Sequence, residues 1–374
     1  MSTTLFHPWD NPMGVSGLEF LEFSTPEPLA LSELFETLGF KAIASNRHKD
    51  ITLYRQGQIN FLVNGEPDSF AQRQARLLGA TSICGIALRV NNADYAYRRA
   101  LDLGAWGFDR HSGPHELGVL ALKGASDMLL YLVDRWRGKD GHEGIGDICV
   151  YDYEFEPIDT STADEDFNHY GVGMTVVDHY VHGASGTHES HWTGYYQRFF
   201  NFVDLPYADI ESHSAGASKH ALVSPCGRIR IPIQRPAESS DELPWPADTS
   251  SVDGRVQRLT LGTRNICETA ERLHARGISF HNQAPAAYYE QLCKRAPHIS
   301  EHIALLQQYG IVVDGAPGGG LLLRARIDAQ VGPIRLDLVQ RGSALDDLES
   351  TPFTELFTML EHDPLCLSLP TLPP

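Results

Sequence analysis

Apolar and polar residues alternate with period two along four widely spaced stretches of the chain, and a segment of helical period follows each of them. Gly17-Leu18-Glu19-Phe20-Leu21-Glu22-Phe23 reads as a strand that leads to a helix stopped at Leu38-Gly39-Phe40, then to strands at Ile51–Tyr54 and Ile59–Val63. Ile83 to Val90 repeats the grammar, with a helix stopped at Leu103-Gly104-Ala105 and further strands through Leu129–Val133. Val172 to Val181 opens a third copy, with a helix over Trp192–Phe202 and strands at Ala221–Val223 and Ile229–Ile233. Arg255 to Leu261 opens the fourth, with the helix Ile266–Arg276 closed by Gly277 and late strands at Leu321–Ile327 and Ile334–Val339. Glycine just past a helix adopts the left-handed conformation that ends it. Only the third helix lacks such a glycine, after Phe202.

Strand–helix–strand–strand–strand units in four copies, two per half, predict an α+β fold whose paired βαβββ modules curl around shared pockets. Residues 1–140 make the first domain and residues 170–374 the second. The Gly138–Asn168 segment is the connection, and Pro236–Asp253, rich in Ser, Pro, Asp and Glu, reads as an exposed loop. Gly318-Gly319-Gly320 precedes a strand, not a helix, so it marks a turn and not a phosphate loop. No Gly-x-Ser-x-Gly elbow occurs.

Composition narrows the class. The 374 residues suffice for two cores, and 42% hydrophobic with 21% charged residues is the balance of a soluble globular protein. A formal charge of −18 disfavours nucleic acid and anionic membranes as partners. No apolar run reaches the roughly 18 residues of a membrane span. Met1-Ser2-Thr3-Thr4 lacks the basic and apolar regions of a signal peptide, so a cytoplasmic protein is expected. The six cysteines have no CxxC spacing and read as reduced thiols. A homo-oligomer is expected.

Several short stretches carry a family resemblance. In the first half they are Asn11-Pro12-Met13-Gly14, Leu53-Tyr54-Arg55-Gln56-Gly57 and Ser82-Ile83-Cys84-Gly85. In the second they are Val177-Asp178-His179, Arg230-Ile231-Pro232, Tyr288-Tyr289-Glu290, Gly310 to Gly315 and Pro333 to Arg341. In this order they resemble the 4-hydroxyphenylpyruvate dioxygenase family of two-domain vicinal oxygen chelate proteins, over nearly the whole chain. The resemblance implies an N-terminal domain without a metal site and a C-terminal barrel that holds Fe(II). Two histidines and a glutamate on three strands bind that iron, and it converts an aromatic 2-oxo acid with O2. Three positions of such a facial triad stay open.

His179 matches the first ligand position, although a lone strand histidine is by default a core residue. Asp337 matches the glutamate, one methylene or about 1.3 Å shorter. Where the family reads Gln-His, this chain reads Gln257-Arg258, and a guanidinium stays protonated and binds no metal. Arg324 stands at a pocket glutamine of the family, and Arg326 and Arg335 replace aromatic residues on inward parities. Pro232 and Gln234 align with the family's Arg-Ile-Pro-x-Asn wording, and Lys219 with a serine. Leu345 to Pro352 replaces a glycine- and phenylalanine-rich lid motif. His188-Glu189-Ser190-His191 has a spacing that could bind metal, but it lies away from the strand triad and reads as surface.

Arginines that point inward need anionic partners. Either they hold a small anionic or aromatic carboxylate ligand, or they pair with Asp337, where Arg258 fills the place of the cation. Three functions follow. One is an iron dioxygenase acting on an aromatic 2-oxo acid. Another is a metal-independent lyase or isomerase of a small carboxylate, with His179 or Asp337 as base. The third is a non-catalytic anion-binding paralogue.

Overall fold

Each repeat of the sequence pattern becomes one βαβββ module in the structure. It is a computed structural model that describes residues 9–108, 119–124, 127–137, 139, 148–158, 171–183, 188–206, 220–234, 255–281, 284–295, 300–316 and 320–341. The first module is β1 (Gly17–Ser24), α1 (Pro28–Thr37), β2 (Lys41–Asn46), β3 (Ile51–Gln56) and β4 (Ile59–Asn64), followed by α2 (Phe70–Leu78). The second is β5 (Ser82–Arg89), α3 (Ala93–Asp102), β6 (Gly107–Phe108), β7 (Leu120–Lys123) and β8 (Leu129–Val133). The connection contributes α4 (Val150–Glu154) and β9 (Phe155–Pro157). The third module is β10 (Met174–Gly183), α5 (His188–Phe200), β11 (Val203–Pro206), β12 (His220–Val223) and β13 (Arg230–Gln234). The fourth begins with β14 (Val256–Thr263), α6 (Ile266–Ala275) and β15 (Phe280–His281). It then inserts α7 (Ala286–Arg295), α8 (Ser300–Gln308) and β16 (Val312–Ala316) before β17 (Gly320–Val331) and β18 (Ile334–Arg341).

Two sheets result, ordered β6-β7-β8-β5-β1-β4-β3-β2-β9 and β11-β12-β13-β10-β14-β18-β17-β15, with β16 beside β17. In every module the first strand runs parallel to the last: β1 with β4, β5 with β8, β10 with β13, β14 with β18. Parallel neighbours need a long crossover, and the helix of each module lies within it. The first strands of paired modules meet antiparallel, β1 with β5 and β10 with β14, so each sheet is two modules joined at its centre.

Local chemistry sets the helix ends. Asn92 and Asn265 accept from the backbone N–H of Tyr95 and Glu268 at the starts of α3 and α6, and Ser69 does the same for Gln72 at α2. Gly39, Gly104 and Gly277 follow α1, α3 and α6 at φ 91°, 95° and 88°, as the pattern predicts. The helix predicted over Trp192–Phe202 runs instead from His188 to Phe200, and Asn201 at φ 57° takes the stop position where no glycine was available. Asparagine tolerates that region better than other side chains do. Asn201 also receives Trp9 Nε1 on its carbonyl and donates its own Nδ2 to the Asp10 carbonyl, which ties the first described residues to α5.

The helix-side faces share one apolar cluster. Leu259 and Leu261 of β14, Leu336 and Leu338 of β18, and Leu323 and Ala325 of β17 pack in it with Ile266, Ala270 and Leu273 of α6. The opposite face of the first sheet carries a second cluster. There Phe20, Leu53, Leu62, Ala87, Leu129 and Tyr131 enclose Val150 and Tyr151 of α4, so the connection plugs this half. The two halves are hydrogen-bonded as well. Gln56 Oε1 accepts from Val172 N at 2.7 Å, and Gln58 N donates to Thr175 O at 2.8 Å. Gly57 turns this hairpin at φ 56°, and a Cβ there would lie 2.7 Å from the Met174 carbonyl oxygen.

Candidate functional site

Successive residues of a strand face opposite sides of its sheet. Leu259, Leu261, Leu336, Leu338, Leu323 and Ala325 face the helices, so Arg258, Thr260, Arg335, Asp337, Arg324 and Arg326 share the other face. Register then sets them side by side. His179 of β10 is opposite Thr260 of β14, Thr260 is opposite Asp337 of β18, and Asp337 is opposite Arg326 of β17. In the next row Arg258 is directly opposite Arg335. The corresponding row of the first sheet is Glu22–Gly85–Leu129. There Tyr131 and Asn64 donate to the Glu22 carboxylate, and a Cβ on Gly85 would fall 2.6 Å from Tyr131.

Asp337 is fully buried at the focus of three guanidiniums. Arg324 Nη2 donates to its Oδ2 at 2.5 Å, Arg258 Nε stands 3.4 Å from the same oxygen, and Arg326 Nε lies 3.9 Å from Oδ1. Burial alone would raise this carboxyl's pKa, but the charges of Arg324, Arg258 and Arg326 outweigh it and hold the group below its usual range. Asp337, one of the two partners that the sequence leaves open for these arginines, contacts Arg324, Arg258 and Arg326.

His179 sits where the ladder between β10 and β14 slips by one residue, between Val177 and His179. Such a bulge re-aims the side chains beside it. It lets Asp178, which strict alternation would send to the other face, reach its neighbour: His179 Nδ1 and Asp178 Oδ2 are 2.7 Å apart. Arg341 grips Asp178 with two hydrogen bonds of 2.6 and 2.7 Å, and Arg230 Nη1 stands at 3.7 Å. Burial opposes ionisation of Asp178, yet the Arg341 bonds and charge, with His179, hold its carboxyl well below the usual range. Ionised Asp178 accepts a hydrogen bond from His179 Nδ1, which fixes the orientation of the ring. At 3.0 Å from Nε2 lies the Thr260 hydroxyl, in hydrogen-bond contact with the ring. His179 and Thr260 are 3% and 1% exposed, so water is kept from this bond.

The remaining expected residues vary in placement. Pro232 is buried in β13 opposite Ala221, and Gln234 ends that strand opposite Gly183. Arg335 is partly buried, and Lys219 lies outside the described residues, as do Pro236–Asp253 and Leu345–Pro352. His191 is exposed at the start of α5. His182 faces away from the site, with Nε2 3.1 Å from the Tyr196 hydroxyl. Sequence reasoning passed over Thr260 and the roles of Asp178, Arg230 and Arg341. Thr260 was within reach, two residues beyond Arg258 on the same parity. The other three depend on the bulge. Gln340 has a structural duty: its Oε1 accepts from Ile266 N and so caps α6.

An iron held by a facial triad needs three donors with free lone pairs aimed at one point. Arg258 supplies only protons. Asp337 Oδ2 accepts from Arg324 while Arg258 and Arg326 crowd the same carboxylate, and Nε2 of His179 is in contact with the Thr260 hydroxyl. Among the described residues no three His, Cys, Asp or Glu stand close enough to hold a metal ion. The residues present do not fit the iron.

The family model described as Hydroxyphenylpyruvate dioxygenase, HPPD, N-terminal, matches residues 9–156. The chain is 33% identical over 359 residues to a 4-hydroxyphenylpyruvate dioxygenase of a Pseudomonas species, across 95% of this chain and 96% of that protein. It is 34% identical to the 4-hydroxyphenylpyruvate dioxygenase of Pseudomonas aeruginosa, across 94% of this chain and 95% of that one. Among solved structures, a xylose isomerase-like TIM barrel/4-hydroxyphenylpyruvate dioxygenase fusion protein aligns with a TM-score of 0.70 at 25% identity. That alignment covers 91% of this chain and 51% of the fusion protein.

Proposed function

Because the chain belongs to the 4-hydroxyphenylpyruvate dioxygenase family, we propose that it is a metal-independent member, one that binds an aromatic 2-oxo acid or a related small carboxylate beside Asp337. The observation that carries this reading is the convergence of Arg324, Arg258 and Arg326 on one buried carboxylate, at the place the family gives to a dication. A fixed cationic centre substitutes for the metal's charge and leaves its redox chemistry behind. Arg335 supplies the ligand contact. It stands directly opposite Arg258, whose own charge is met by Asp337, and it is partly buried on the same face. A guanidinium presents a planar fork that matches a carboxylate in two hydrogen bonds. Assembly as a homo-oligomer is part of the same proposal, and sedimentation velocity tests it.

The decisive experiment is calorimetric titration of phenylpyruvate and 4-hydroxyphenylpyruvate in the presence of a chelator. Binding is expected without metal, and Arg335→Ala should weaken it roughly 10- to 150-fold, the equivalent of about 1.5–3 kcal/mol. Anaerobic Fe(II) loading should leave the wild type well below one iron per chain. Arg258→His with Asp337→Glu restores the ligand types, but Arg324 still contacts position 337. Adding Arg324→Gln should therefore be needed before iron is held tightly. Tight iron in the wild type, or ligand binding only after Fe(II) is added, would overturn the proposal.

A further inference from the structure

Charge on the site face is far from balanced. Four guanidiniums, those of Arg258, Arg324, Arg326 and Arg335, share it with the single carboxylate of Asp337. One carboxylate offsets one of those charges, which leaves an excess of three in a chain whose formal charge is −18. The only other acids of β10, β14, β17 and β18 are Asp178 and Asp328. Asp178 is gripped by Arg341 and approached by Arg230, and Asp328 accepts from the Ser279 hydroxyl. The four arginines also differ in exposure. Arg258 and Arg324 are 4% and 2% exposed, whereas the Arg326 side chain is 20% exposed and Arg335 is only partly buried. Gln330, opposite Arg335 in register, is exposed, so this end of the face is open to solvent and to a ligand. Arg335 has no ion pair among the described residues. Arg326 stands opposite Asp337, two residues along β18 from Arg335, and diagonal neighbours of that kind lie roughly 7–8 Å apart. One small ligand spans that distance between two long side chains.

We propose that the site takes a dianion: a small aromatic dicarboxylate, with one carboxylate on Arg335 and the other on Arg326. The inference rests on the ligand reading above and narrows its ligand to one that carries two acidic groups. Partly buried cations call for anions, because desolvation penalises charge that has no counterpart. A monocarboxylate on Arg335 leaves two of the three excess charges unmet. A dicarboxylate leaves one, which water meets at the exposed rim. Each planar guanidinium matches one carboxylate through two parallel hydrogen bonds, so two forks at neighbouring positions read two carboxylates and their spacing. Arg324 takes no part, because its Nη2 is committed to Asp337 at 2.5 Å. Arg326 approaches Asp337 only to 3.9 Å, which makes it the most loosely held of that carboxylate's three cations. It is the residue that decides between one acidic group and two.

A matched pair of ligands tests the second carboxylate. Phenylsuccinate is 3-phenylpropanoate with one more carboxylate. Both are titrated calorimetrically into the full chain, alongside phenylpyruvate, with a chelator present and phosphate absent. A buffer of about pH 7.5 keeps every carboxyl ionised. Phenylsuccinate should bind about 10- to 150-fold more tightly than 3-phenylpropanoate, the range of one further charge-assisted contact. Arg326→Gln should bring that ratio close to one. Arg326→Lys keeps the charge beside Asp337 but not the fork, so it guards against a folding defect and should show an intermediate ratio. A wild-type ratio within about threefold, with phenylpyruvate still bound, overturns the second carboxylate and leaves the ligand reading intact. So does a preference for phenylsuccinate that survives both substitutions undiminished. A wild type that binds none of the three compounds sinks both.

Discussion

Asp337 decides the character of this site. A carboxylate of zero exposure is tolerated because Arg324, Arg258 and Arg326 surround it, and those cations are tolerated because it is there. Replacing a buried ion pair whole is cheap, whereas removing one member leaves charge without a counter-ion. Asp337→Asn should therefore cost about 3–5 kcal/mol at pH 7, read from urea unfolding midpoints. The pH dependence has a definite sign. Asp337 has a folded pKa below that of the unfolded chain, which is about 3.9 for aspartate. Its stabilisation is complete above roughly pH 4 and is lost as pH falls through the folded value. Wild type should lose stability over that acid range and the asparagine variant should lose less. An equal acid limb in both proteins would mean that the arginines do not depend on this carboxylate.

At the scale of elements, the bulge in β10 and the end of α5 do work that composition does not announce. The bulge brings Asp178 and His179 into contact, so one irregular rung orients the imidazole. Asn201 ends α5 in a left-handed conformation, which costs most residues with a Cβ about 1 kcal/mol or more. Asn201→Ala should accordingly lower stability by about 1–2 kcal/mol, combining that strain with the lost bond to Asp10. Asn201→Gly keeps the backbone freedom and should lose less. Thermal unfolding of both variants distinguishes the causes: equal losses would put the whole effect on the side-chain bond.

Across the whole molecule, one apolar cluster takes in residues of both halves, from Phe23 and Phe35 to Leu261 and Leu338. The hairpin at Gln56–Gln58 is bonded to Val172, Met174 and Thr175 on the other half. Such coupling favours a single cooperative transition. Gly57→Val should weaken it, since its Cβ would collide with the Met174 carbonyl and its φ of 56° suits only glycine well. Calorimetry should show one endotherm for wild type, and a broadened or divided one for the variant. Two separate endotherms in wild type would show that the shared cluster does not couple the halves. The halves also differ in use. α4 fills the face of the first sheet with Val150 and Tyr151, whereas the matching face of the second carries the arginines.

The four modules were legible because period two, helical period and glycine stops are local properties, written in residues that are neighbours along the chain. The same parity argument put Arg258, Arg324 and Asp337 on one face, and the resemblance named the position at which Arg258 breaks the family's ligand set. α7, α8, β9 and β16 were not anticipated, because short segments without clear periodicity acquire their form from what they pack against. Thr260 beside His179, Asp178 turned by a bulge and Asn201 standing in for glycine were decided in three dimensions. Thr260 and His179 are 81 positions apart, and Arg341 and Asp178 are 163 apart. Which of them meet depends on strand register and on one slipped rung. Those are settled by the packing of whole sheets and leave no local mark in the sequence.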